Sequence, residues 1–103
     1  MKYFIQATLT LKYGSLPRLE VFMEDFIPYM NSRGWTLIGA YRALVGDLNQ
    51  VMHIWEAESL DSVMSTLSSG TEVNPKIGEL MGRLAEFTEH ETVQLVTKTS
   101  YSP

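Results

Sequence analysis

His53 and Trp55 stand two residues apart in the run Val51-Met52-His53-Ile54-Trp55-Glu56. Alternate side chains of an extended strand share a face, so in a strand the imidazole and the indole point the same way. An imidazole near its ordinary pKa gives and takes protons around neutrality. In the wall of a cavity His53 could hold a ligand or act on it as a general base. It could equally be a structural histidine, hydrogen-bonded to backbone or to a neighbour across a sheet. Trp35, Tyr41 and Trp55 share an odd-numbered parity. Together they would form a wall for a flat organic ligand, or plain core. Arg42 is on the same stretch, and a charge on a central strand must be paired or wet. Glu56 on the neighbouring strand is its expected ion-pair partner, and an anion in a pocket is the alternative. Tyr41, Arg42, His53 and Trp55 are therefore the candidate ligand-binding residues, and His53 is the candidate catalytic one.

Other chemistries are missing from the chain. It has no cysteine, which removes disulfides, thiol catalysis and thiolate metal sites. His90, the second histidine, is flanked by Glu89 and Glu91 but has no spacing motif that joins it to His53. Neither a metal nor another cofactor is expected. Glu86, Glu89 and Glu91 read as a solvated charge run. Ser15 and Ser59 read as helix caps, since no motif places a base beside them. Eight Lys and Arg are scattered along a chain of net charge -4. A phosphate backbone needs a basic patch, so nucleic acid is not an expected partner.

The elements that position these residues are legible from periodicity. Tyr3, Ile5, Ala7, Leu9 and Leu11 alternate with Phe4, Gln6, Thr8 and Thr10, which marks a strand. A signal peptide would need an unbroken apolar run there. No stretch reaches the ~20 apolar residues of a membrane helix, and a cytoplasmic location is expected. Gly14 ends the strand. Ser15 then caps a helix whose stripe is Leu19, Phe22, Met23, Phe26, Ile27 and Met30. Pro17 suits its first turn, Pro28 should kink or tighten its last turns, and Gly34 should close it with positive φ. Strands are expected over residues 35–44 and 50–57. They are joined through Gly46, Asp47 and Asn49 by a loop for which two, three and four residues all remain open. Ser59 caps a short helix that runs out at Ser68-Ser69-Gly70. Asn74-Pro75 starts another helix, with a stripe of Ile77, Leu80, Met81, Leu84 and Phe87, and a final strand is expected over residues 91–99.

That order is the ferredoxin-like βαββαβ pattern, an α+β fold with a four-stranded antiparallel sheet and helices on one face. All 103 residues are expected to form a single domain. The second sheet face would carry Phe4, Ile38, Leu44, Met52, Ile54 and Val96 among polar groups. Monomers rarely leave such a patch wet, so a homodimer paired through the open sheet face is expected.

The segment Gly39-Ala-Tyr-Arg-Ala-Leu-Val-Gly46-Asp-Leu48-Asn49-Gln-Val51-Met-His53-Ile-Trp55, followed by Ser59-Leu60, resembles the NIPSNAP family. That family's pattern has a Gly-x-Leu-Asn turn, a Val-x-His-Leu-Trp strand and a short cap. Leu11-Lys12-Tyr13-Gly14 resembles its Leu-Lys-Pro-Gly strand end, with Tyr13 in place of the proline. The resemblance implies a dimeric α/β-barrel, in which two ferredoxin-like sheets pack together. Family members commonly carry an arginine where Ala7 stands here and another near Val63; both are missing. The family has no settled reaction, so the resemblance implies architecture more than activity. The expected function is a homodimeric barrel that binds a small organic ligand or a protein partner. The alternative is a cofactor-free oxygenase or isomerase that uses His53 as general base.

Overall fold

Strict alternation of apolar and polar residues builds β1 (Tyr3–Leu11) in the computed structural model, which describes residues 2–67 and 75–103. It is followed by α1 (Leu16–Ser32), β2 (Trp35–Arg42), β3 (Gln50–Ala57), α2 (Leu60–Leu67), α3 (Pro75–Phe87) and β4 (Thr88–Val96). The sheet order is β2-β3-β1-β4 and every pairing is antiparallel. This is the expected ferredoxin-like α+β arrangement, a four-stranded open sheet with three helices among the described residues.

The helices pack on the face that carries Ile5, Ala7, Leu9, Leu11, Val51, Trp55 and Ala57, all buried. Leu19 and Phe22 from α1 and Leu80, Leu84 and Phe87 from α3 fill one half of this core. Met30, Trp35, Trp55 and Val63 fill the other. The Phe26 and Trp35 rings both meet Trp55 edge-on, at centroid distances of 5.8 and 6.2 Å. Such edge-to-face pairs add roughly 0.5–1.5 kcal/mol each beyond their buried area.

Most local signals work as their chemistry requires, but Ser15, although it holds the N-cap position of α1, makes no side-chain cap hydrogen bond because its backbone is near-helical. The Ser59 hydroxyl accepts the Ser62 amide at 3.1 Å and caps α2. Pro28 lies inside α1, whose end tightens into Arg33 and Gly34 amides that bond the Met30 and Asn31 carbonyls. Gly34 follows at φ 88°. Pro75 opens α3 as expected, whereas Ser68-Ser69-Gly70 and the Asn74 cap lie outside the described residues.

Three expectations on strand geometry are corrected. Strand β2 ends at Arg42 rather than residue 44, so the hairpin loop covers residues 43–49 instead of two to four residues. It is closed by the Ala43 amide on the Gln50 carbonyl (3.1 Å) and by the Asn49 amide on Asp47 Oδ1 (3.0 Å). Strand β4 spans Thr88–Val96 rather than residues 91–99, because α3 runs straight into it at Phe87. The third correction is a bulge in β2. Leu37 pairs with Trp55 but Gly39 pairs with Ile54, which leaves Ile38 over and reverses the facing of every later β2 residue. Tyr41 therefore lies on the open sheet face beside Met52, not beside Trp35 and Trp55. A Cβ on Gly39 would sit 2.9 Å from Tyr41 Cε2, so the missing side chain is what lets this ring lie over the strand.

Candidate functional site

Strand β3 places His53 between two alanines. It pairs with Ala7 of β1 on one side and Ala40 of β2 on the other. Ala40 borders an open groove on its own flank, while Ala7, on the helix side of the sheet, leaves space beside the imidazole that the helices do not fill. A cavity of about 180 Å³ results, walled by His53, Trp55, Phe22, Phe26 and Met23 among other apolar groups. Dry apolar cavities of about 150 Å³ take a single aromatic ring such as benzene, so the space suits a small organic molecule.

Few polar groups face this cavity. His53 is 5% exposed, and among the described residues its ring has no hydrogen-bond partner. Burial away from water lowers its pKa, which keeps the imidazole neutral at physiological pH, with one nitrogen donating and the other accepting. Thr66 contributes a buried Oγ1 that is also without a partner among the described residues. Glu91 lines the cavity from β4, and partial removal from water raises its pKa. Glu91 and Val93 are exposed residues of this lining and lie on the edge strand β4, which places the mouth of the cavity there.

The four sequence candidates separate. His53 and Trp55 share the inner cavity. Tyr41 and Arg42 border an open groove between α1 and β2, which His53 also lines. Tyr41 is 61% exposed and faces away from Trp55 across the sheet. The expected Arg42–Glu56 ion pair does not form. Arg42 is level with Val51 at one end of the β2–β3 ladder, while Glu56 is level with Thr36 at the other and bonds Lys2 Nζ at 2.9 Å. Among the described residues Arg42 has no ion pair. His90 pairs with Thr10 on the opposite face from His53. No group of three or more acidic, His or Cys side chains that could hold a metal occurs among the described residues. None of the helices described is long and apolar enough to cross a membrane.

Sequence reasoning missed Ala7 as the small residue that opens the space, and Thr66 and Glu91 as polar members of the wall. For Glu91 a signal existed, since it shares the parity of Val93 and Leu95 on the last strand.

The NIPSNAP family model matches residues 6–103 of the chain. No curated protein matches it. A solved NIPSNAP family protein of unknown function from Agrobacterium tumefaciens is 22% identical, with a TM-score of 0.80 over 99% of this chain and 92% of its own. A second NIPSNAP family protein from the same organism, 19% identical, has a TM-score of 0.81 over 100% of this chain and 98% of its own. A protein from Bordetella bronchiseptica, named for antibiotic biosynthesis monooxygenases, is 15% identical with a TM-score of 0.75 over 95% of this chain and 97% of its own. These structural likenesses are likenesses of fold. The family match, which runs from β1 to the last residue, decides the matter: the chain belongs to the NIPSNAP family.

Proposed function

We propose that this NIPSNAP chain is a single-domain binding protein whose cavity beside His53 takes a small, largely apolar organic molecule with one hydrogen-bonding group. The observation that supports this most is a neutral, buried His53 with no partner among the described residues, set in an apolar wall. A buried polar group without a partner is costly, and a ligand hydroxyl or carbonyl would satisfy it. The working form is a homodimer in which a second copy covers the open sheet face, where Tyr41, Met52, Ile54 and Val96 lie among polar groups. A cytoplasmic location accompanies this reading.

The test is a thermal-shift screen with phenols and small aromatic acids. Binding to the folded state raises the melting temperature by mass action. Active probes should lose their effect in His53→Gln. A screen in which no probe shifts the wild type would remove the reading.

A second reading is enzymatic: a cofactor-free oxygenase or isomerase. It is favoured by the neutral imidazole, which is already in the form that can take a proton. The fold shared with a neighbour named for antibiotic biosynthesis monooxygenases agrees with it. In that role His53 removes a proton from an acidic C–H or O–H of the bound molecule and becomes imidazolium. Turnover that survives His53→Ala would exclude it.

A further inference from the structure

The turn after β1 and the β2–β3 hairpin enclose a crevice of about 360 Å³ that shares no wall residue with the His53 cavity. Ser15, Leu16 and Pro17 at the N-terminal end of α1 form one side, and Arg42 faces them from the end of β2. Ser15 holds the N-cap position with a near-helical backbone, φ -92° and ψ -2°, and its side chain makes no cap hydrogen bond. An N-cap hydroxyl reaches back to the helix amides from an extended backbone, which Ser15 lacks. Ser15 is 6% exposed, and among the described residues its Oγ has no partner. Unlike Thr66 Oγ1 and Thr88 Oγ1, which are sealed, the Ser15 hydroxyl oxygen keeps an opening, and the residue lines the crevice.

The groups around it have one electrical sign. The Leu16 and Arg18 amides have no backbone acceptor among the described residues. The first turn of α1 contains no acidic residue, so the positive end of the helix is uncompensated from within. The Arg42 guanidinium has no ion pair among the described residues. The other cation of the wall, Lys12, donates to the Glu86 carbonyl at 2.9 Å. Glu20 borders the neighbouring groove with Arg42 but does not line the crevice.

We propose that this crevice is an oxyanion site that binds a phosphate or carboxylate group. The Ser15 hydroxyl and the Leu16 and Arg18 amides are the donors, and Arg42 is the countercharge. A guanidinium fork suits either oxyanion in two-pronged fashion. The site stands apart from the cavity reading, and either can fail without the other.

The experiment is an amide NMR titration of the whole chain at constant ionic strength. Inorganic phosphate is one arm, acetate the other, and sodium chloride the control. Saturable shifts of the Leu16 and Arg18 amides are expected with at least one oxyanion and not with chloride. Saturation by phosphate alone assigns a phosphoryl group as guest, and saturation by acetate alone assigns a carboxylate. Arg42→Ala should weaken binding about tenfold and Ser15→Ala severalfold, with Arg42→Lys between wild type and Arg42→Ala. The proposal is overturned if neither anion moves these amides, or if Arg42→Ala binds as wild type does.

Discussion

His53 and Ala7 face each other across the β1–β3 ladder, and this pairing of a ring with a methyl group opens the cavity. The partner on the other flank, Ala40, is equally small but borders the open groove rather than this cavity. Val93 of β4, level with Ala7 on its other side, also lines the cavity, so the space is a property of β3, β1 and β4 at one level of the sheet.

That space should accept a larger side chain. Ala7→Leu adds about 0.8 kcal/mol of burial per methylene. In a filled core the same change costs roughly 1–3 kcal/mol through overpacking. We expect the variant to unfold in one transition, with stability within about 1 kcal/mol of wild type. A denaturant titration that shows a loss above about 3 kcal/mol would mean that the core is already full.

Acid should loosen the fold through His53. Its folded pKa lies below the ordinary 6.5, so as pH falls the unfolded chain takes up the proton first. Stability is intact above 6.5 and is lost as pH falls through the folded pKa. Glu91 runs the other way. Its folded pKa lies above 4.5, so its contribution is present below that value and lost as pH rises through the folded pKa. Glu91 is exposed, and solvent screening makes it the smaller influence. Unfolding free energy should decline between about pH 7 and 5, with a shallower slope in His53→Gln. An NMR titration of His53 with a midpoint at or above 6.5 would contradict this.

Gly39→Ala tests the bulge. The new methyl meets the far end of the Tyr41 ring, which can swing outward because it is exposed. The expected cost is about 0.5–1 kcal/mol, and it should vanish when Tyr41→Ala is already present. An equal cost in both backgrounds would show that Tyr41 does not lie over Gly39.

Pairing of two sheets should be visible as mass. Light scattering is expected to give twice the 11.7 kDa of one chain. Ile54→Lys, which puts a charge into the open face, should return the chain to its single mass. A wild type that remains at 11.7 kDa at high concentration would remove the homodimer.

Much of this fold is written in period-two and period-three-to-four patterns. Residues 3–11 alternate without a break, and the Leu19 to Met30 stripe continues through Pro28. What escaped was any feature that depends on one residue more or fewer. Ile38 is apolar and β-branched, a good strand former, so nothing in its type announces that it is left unpaired. Gly39 was the clue, since glycine inside a strand often marks a bulge or a close approach. That slip reversed Tyr41 and Arg42 and dissolved the expected aromatic trio. The start of β4 was hidden because no Gly, Pro or Asn separates Phe87 from Thr88. His53 and Trp55 were legible as a same-face pair, but the void beside them comes from Ala7, which meets His53 and Val93 only once β3, β1 and β4 are in register.

The most direct measurement is a phenol titration followed at the His53 ring and the Trp55 indole N–H by NMR. Both signals should shift and saturate in wild type, and Ala7→Leu should abolish the response while remaining folded. Shifts that never saturate, or that persist unchanged in Ala7→Leu, would contradict a ligand cavity at His53.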